Sequence, residues 1–439
     1  MKEYMEIKQI VQDLFPYNYS VVGDESIEAT KQYLKHLKFT ISEYRSGNEI
    51  NGWTLPMGWR VKKASIEVGD MMYDCIERSS LGCAYLSPSF KGSVSREELM
   101  LHCAYRKDLE DAIVYEWTRL YRQGDKSWGL SIPWKILKNI DNIDIRVDIE
   151  TEEYDSKMQV YEYLLKGQTD EEIIISGHNC HPYQANDDIS GCAVGIAIIK
   201  ELEQRKDLHY SYRLLIGPEL FGPMQWLKSN GEHIKNIKGC ILLKSVGNAG
   251  EIKVQKSYLG NTILDKAAIK AVDEEKENIE VFNFREYYGN DETVFDAYGY
   301  EIPTITFTRF PFKEYHTNLD TPEIVMESML QQTKDIVLRT IHSIETNKVA
   351  KQIEKGLICL SNPRYDLYKS APEPGISNKG QSELDKSWNL MMNCLQRDLG
   401  AEMSILDISI KYRIPYKQVL EYLSEWEKKG LIQLTRLKE

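Results

Sequence analysis

The stretch SGHNCHPYQANDDISG, residues 176–191, brings His178, His181, Asp187 and Asp188 close together along the chain. Two imidazoles and two carboxylates are costly to bury without partners. A divalent cation removes that cost, because it neutralises the acids and engages the imidazole lone pairs. Three further groups carry compatible chemistry: Glu219 directly after an apolar run, Asn290-Asp291-Glu292 ahead of Phe295, and the run from Tyr315 through His316 to Asp320. Together they read as groups from separate strand ends that converge on one metal site.

These side chains need elements that end in one place. Ile173, Ile174 and Ile175 form an unbroken β-branched run, the pattern of a strand covered on both faces. Gly191, Ala193, Gly195 and Ala197 then open a helix of small, apolar residues. Ligand-type residues between a parallel strand and the following helix lie where open α/β sheets place their sites. Further strands are expected at residues 212–216, 239–243 and 302–307, and helices at 264–272, 293–297 and 323–350. This alternation predicts a doubly wound, mostly parallel α/β sheet with helices on both faces.

Two regions depart from that pattern. Residues 47–133 carry short alternating runs punctuated by Pro and Gly, which predicts a β-rich insertion domain. Within it, Ser95 and Glu98 form a capping-box signal, and the aromatic run from Trp117 to Trp134 reads as core. The discontinuous main domain is then 1–46 with 134–365. Residues 366–383 form a Pro/Gly/Ser-rich linker. Residues 384–439 read as helix, turn, helix and closing strand, the order of a winged helix-turn-helix.

The 439 residues carry a net charge of −12, which argues against a large nucleic-acid footprint. The tail mixes Lys411, Arg413, Lys417, Lys428 and Lys429 with Glu421, Glu425 and Glu427, so protein contacts are favoured over DNA. No apolar run is long enough to span a bilayer, and the N-terminal stretch lacks the apolar core of a signal peptide. Eight scattered cysteines suit reduced thiols and a cytoplasmic address. Further copies of the chain are an expected partner, and a membrane is not.

The motifs resemble those of the zinc aminopeptidases that carry one doubly wound α/β catalytic domain. The matching residues are Ser176-Gly177-His178, Ala185-Asn186-Asp187-Asp188-Ile189-Ser190-Gly191 and Pro218-Glu219. They continue with Asn290-Asp291, Phe295, Gly299 and Pro303, then Tyr315-His316 with Asp320. The resemblance implies zinc held by His178, Asp187 and His316, Glu219 as general base, and Asp320 orienting His316. It also shows two losses. A ligand glutamate of that family is Leu220 here, and a ligand aspartate falls at Lys244-Ser245, which leaves ligands for one ion, zinc or another divalent metal. Lys244 is then a stand-in for the missing cation's charge. His181 is an additional imidazole, and sequence leaves open whether it or His178 is the ligand.

Arg309 fits either a substrate carboxylate or a structural salt bridge, and Tyr315 either an oxyanion or packing beside His316. Trp53-Thr54-Leu55-Pro56-Met57-Gly58-Trp59, Ser127-Trp128-Gly129-Leu130, His178-Asn179-Cys180-His181-Pro182 and the tail resemble a narrower bacterial family. Its members are aminopeptidase-like proteins of unknown function with a β-rich insertion and a C-terminal winged helix, often encoded near polysaccharide-biosynthesis genes. The implied activity is hydrolysis of a peptide or amide bond, with a small peptide or amide as substrate. The second reading is a catalytically degenerate metal- or ligand-binding protein.

Overall fold

The structure is a computed structural model that describes residues 6–140, 144–275, 279–369, 382–400 and 403–436. Most of the expected linker lies outside the described residues, as does the start of the N-terminal helical pattern. The chain divides into two compact units: Met1–Gly260 with Glu280–Asp335, and Asn261–Ile279 with Ile336–Glu439.

The first unit is built on an eight-stranded sheet. Its order is Thr40–Arg45, Lys157–Leu165, Ser211–Gly217, Glu172–His178, Ile237–Lys244, Thr304–Thr308, Lys253–Gln255 and Val281–Phe282. The four central strands run parallel. Every residue of Glu172–His178 and of Ser211–Gly217 is buried, as a strand covered on both faces requires. The helix Ser190–Leu202 follows the first of these and is buried around almost its whole circumference. Strand Glu172–His178 is flanked on one side by Ser211–Gly217 and on the other by Ile237–Lys244. Chain connections therefore leave to both sides of it, and the crevice at its carboxyl end is where such sheets bind ligands.

A second, antiparallel sheet orders Met71–Asp74, Gly58–Val68, Ile145–Tyr154 and Phe90–Val94. Its third strand comes from beyond residue 133, so this β-rich layer is completed by a segment that then turns into the large sheet at Lys157. The expected cap at Ser95 is present, with its hydroxyl accepting from Glu98 N.

In the second unit the helices Glu383–Asp398, Ile405–Tyr412 and Tyr416–Lys428 pack around Met391, Leu395, Leu423 and Trp426. The long helix expected over 323–350 runs only from Glu327 to Thr346. Val349–Gln352 instead forms a strand, because it pairs antiparallel with Ile432–Thr435. That pairing is a tertiary contact, which local periodicity does not register.

Candidate metal centre

Four strand ends supply the site. Glu172–His178 delivers His178 and, through the loop after it, His181 and Asp187. Ser211–Gly217 leads to Glu219, Ile237–Lys244 ends on Lys244, and the chain after Thr304–Thr308 returns through Tyr315 and His316. The carboxylate of Asp188 ties two of these ends together, accepting from His178 N at 3.3 Å and Ser245 N at 2.9 Å. A Cβ at Gly191 would come within 2.6 Å of both Asp188 oxygens, so only glycine leaves room for this clasp. Asp320 accepts from Asn186 N at 2.7 Å and Asp187 N at 3.0 Å. It therefore fixes the backbone that carries Asp187, in place of the implied contact with His316.

Proton positions decide which imidazole is free. His181 Nδ1 lies 2.9 Å from the carbonyl of Pro182, and a carbonyl only accepts. The proton is thus on Nδ1, and Nε2 carries the lone pair. That atom stands 3.6 Å from Asp187 Oδ2, and His316 Nε2 stands 3.3 Å from the same oxygen. His181 Nε2 is buried and has no hydrogen-bond partner. Ligand atoms of His181, Asp187 and His316 all lie within 4.8 Å of one another. A tetrahedral ion with bonds of about 2.0–2.1 Å spaces its ligands by roughly 3.3–3.4 Å. These residues fit a divalent cation.

His178 stands outside that set, against Lys244. Lys244 Nζ forms a short ion pair with Asp187 Oδ1 and lies 2.9 Å from His178 Nε2. An ammonium only donates, so it takes the His178 lone pair and leaves Nδ1–H facing Asp188 Oδ2 at 3.4 Å. Burial opposes the charge on Lys244, but the Asp187 and Glu219 carboxylates outweigh it and hold its pKa well above the usual lysine value. Burial likewise works to raise Asp187. The Lys244 ammonium prevails and holds it well below the carboxylate range. His178 is kept neutral by burial and by Lys244. Of the two imidazoles that sequence leaves open, His181 presents a free Nε2, while His178, the ligand implied by the resemblance, lies against Lys244. His178 also lies near Cys180 and Glu219. That trio is the poorer cation site, since its imidazole is engaged and burial pushes the Cys180 thiol well up.

Aromatic plates set the two ligand rings. Tyr115 stacks on His181 with centroids 4.4 Å apart, and Tyr315 stacks on His316 at 3.8 Å. Tyr315 therefore packs beside His316, as one of its two expected readings had it. Trp117 Nε1 donates to His316 Nδ1 at 3.1 Å. An accepting Nδ1 keeps the proton of the neutral ring on Nε2, so binding a cation through Nε2 requires Trp117 to let go. Trp117 belongs to the run that sequence assigns to core, yet it is 38% exposed and lines the site. Tyr115 and Trp117 arrive because residues 113–115 pair with the His316 loop: Tyr115 N donates to His316 O at 2.8 Å, and Asn318 N to Ile113 O at 2.9 Å. Neither residue carries a signal in its own stretch that ties it to a strand end more than fifty positions away.

Glu219 opens into a cavity of about 280 Å³ that His181, His316, Tyr315 and Trp117 also line. Its carboxylate is 19% exposed and lies 3.9 Å from His178 Nε2. The chain reverses after it at Leu220, where φ is +61°, and Asp291 Oδ1 fixes that turn by accepting from Leu220 N at 2.6 Å. Burial, followed by the charge of Glu219, pushes the Asp291 carboxyl well up. Arg309 does not line the cavity. It is buried, donating to the carbonyls of Val246 and Gly250 and to Gln332 Oε1, and so braces backbone rather than a substrate. The cationic side chain that does reach the cavity is Arg285, which no spacing in the sequence singles out.

The family described as a domain of unknown function (DUF4910) matches residues 8–347. A Clostridium acetobutylicum protein, provisionally described as a polysaccharide biosynthesis protein with an aminopeptidase-like domain, is 29% identical over 425 residues, covering 94% of this chain and 93% of its own. A solved structure from Clostridium acetobutylicum, provisionally assigned as a peptidase, matches with a TM-score of 0.79 at 24% identity. It covers 98% of this chain and 96% of that one. The zinc aminopeptidase of Bacillus subtilis matches with a TM-score of 0.56 at 12% identity, covering 77% and 94%. The fold is that of the aminopeptidase-like α/β proteins, and zinc aminopeptidases and M28 peptidases are its structural neighbours.

Proposed function

We propose that this chain, which belongs to the DUF4910 family, is a hydrolase of peptide or amide bonds that works with one divalent cation, zinc in the first instance. The observation that carries this reading is the buried, unpartnered His181 Nε2 at cation spacing from Asp187 and His316, beside the cavity into which Glu219 opens. When bound there, zinc would polarise the amide carbonyl and make water acidic enough to deprotonate near neutral pH. Glu219 takes a proton from the attacking water and returns it to the leaving nitrogen as the C–N bond breaks, so water is consumed and an acid and an amine are released. Lys244 supports a count of one, since its ammonium occupies the position and the His178 lone pair that a second cation would need. Asp291 holds the turn after Glu219 and so keeps the base directed at the cavity.

In the second unit, the helices Ile405–Tyr412 and Tyr416–Lys428 followed by strand Ile432–Thr435 support reading residues 384–439 as a winged helix-turn-helix, and its mixed charges favour protein contacts over DNA. All eight cysteines are unpaired thiols, which supports a cytoplasmic address.

The test is metal analysis of purified protein combined with a screen of aminoacyl and N-acyl amides. One equivalent of zinc is expected in the wild type and none in Asp187→Ala. Glu219→Gln should keep the metal and lose roughly 10²-fold or more in turnover. Metal retained without turnover on any substrate, or turnover indifferent to Glu219→Gln, overturns the hydrolase reading in favour of a metal-binding protein.

A further inference from the structure

The cavity beside the cation site has an uneven charge pattern. Glu219 is the one carboxylate lining it and Arg285 the one permanently cationic side chain, among the described residues. If Glu219 is the general base, no acid remains there to receive the ammonium of a free amino terminus. What remains is a set of donors without acceptors. Arg285 presents five N–H groups, of which Nη1 donates to the hydroxyl of Thr293. Its neighbour Glu292 is already engaged, with both carboxylate oxygens accepting from Asn290 N at 2.8 and 2.9 Å. Asn290 also lines the cavity. Its Oδ1 accepts from Asp291 N at 2.7 Å, which fixes the amide orientation and leaves the buried Nδ2 with no partner.

The position of Arg285 is built rather than incidental. Its backbone sits at φ +55°, a conformation that L residues rarely adopt. A Cβ at Gly289 would come within 2.5 Å of Arg285 Nη2 and 2.8 Å of its Cζ. The guanidinium lies against the Gly289 backbone, where a side chain at 289 would have to displace it. A planar fork held this way is suited to bidentate capture of a carboxylate. The facing walls, Tyr115, Tyr121 and Leu220, offer apolar surface.

We propose that Arg285, with Asn290, is an anion clamp that selects amides bearing a free carboxylate, namely N-acyl amino acids or short peptides read from their carboxyl end with an apolar side chain. The proposal rests on the hydrolase reading for its site and narrows it away from substrates recognised by a free amino terminus.

The experiment is isothermal titration calorimetry of zinc-loaded Glu219→Gln protein, which is expected to hold the ligand without turning it over, with N-acetyl-L-phenylalanine and with N-acetyl-L-phenylalaninamide. The acid is expected to bind at least tenfold more tightly than the amide. Arg285→Gln should abolish that preference without changing the thermal midpoint, since the side chain is exposed. Equal binding of the two ligands, or binding of neither, overturns the clamp. A preference that survives in Arg285→Gln belongs to the metal rather than to the guanidinium, and overturns it as well. Selective binding of the acid with no hydrolysis of any amide by the wild type sinks the hydrolase reading and leaves the clamp standing. Hydrolysis with no such selectivity does the reverse.

Discussion

A single proton decides the assignment of each imidazole around Asp187. His181 gives its N–H to Pro182 and so keeps a lone pair at Nε2, whereas His178 spends its lone pair on Lys244. The two histidines are three positions apart, and nothing in their spacing distinguishes them. The difference lies in what the fold sets opposite each ring. Lys244 is the more telling substitution, because it leaves Asp187 charged in a fully buried place. Lys244→Met should therefore cost the metal-free protein about 3–5 kcal/mol, as expected when one partner of a buried ion pair is removed. Urea unfolding in the presence of a chelator measures this, and a loss under about 1 kcal/mol would contradict the pairing. Trp117 works in the opposite sense, since its indole N–H stabilises the tautomer of His316 that does not ligate. Trp117→Phe removes that competition. Zinc affinity should rise by about fivefold, corresponding to one hydrogen bond of about 1 kcal/mol, and a competitive chelator titration reads the change directly.

At the scale of elements, the site depends on loops that return from strand ends and are fastened by buried acids. Asp188, Asp320 and Asp291 each accept backbone N–H groups, and Glu292 does so for Asn290. The strands themselves are legible in the sequence, because a run such as Ile173-Ile174-Ile175 has one reading when both faces are covered. The fastenings are not, since an aspartate that caps a turn and one that ligates a metal look the same in one dimension. Asp320 and Arg309 show this: both brace backbone, and their residue types suit chemistry equally well. Glu292 carries a prediction at this scale. Burial raises its carboxyl from an ordinary glutamate value to about 7, against hydrogen bonds that favour the charge. The folded chain thus binds a proton between about pH 4.5 and 7 that the unfolded chain has released. Stability must then fall as pH rises through that window and level off above it, by about 3 kcal/mol in all. Glu292→Gln keeps an acceptor and has no such proton. It should flatten that part of the stability profile and make the protein more stable at pH 8. An unchanged slope in chemical unfolding from pH 4.5 to 7 would show that Glu292 does not titrate there.

At the scale of the molecule, every residue assigned to the centre lies in the first compact unit, from His178 to His316. The aminopeptidase-like architecture was readable from the alternation of strands and helices and from the order of the motifs. The ending of the long helix at Thr346 was not, because the strand that replaces its last turn is paired by residues about eighty positions later. Because every assigned ligand lies in the first unit, a variant in the second is predicted to leave the ligand set, and so the metal, independent of it. Trp426 is fully buried in the C-terminal helices, and Trp426→Ala should cost about 3–5 kcal/mol there. Zinc stoichiometry should nonetheless stay at that of the wild type, whereas its loss at temperatures where the first unit remains folded would contradict this independence.

The most direct test of the central claim is the zinc stoichiometry of His178→Ala and His181→Ala, measured side by side on protein that remains folded. One cation held by His181, Asp187 and His316 predicts that His181→Ala loses the metal and His178→Ala retains one equivalent. Two equivalents in the wild type, or metal lost from His178→Ala and kept by His181→Ala, would contradict it.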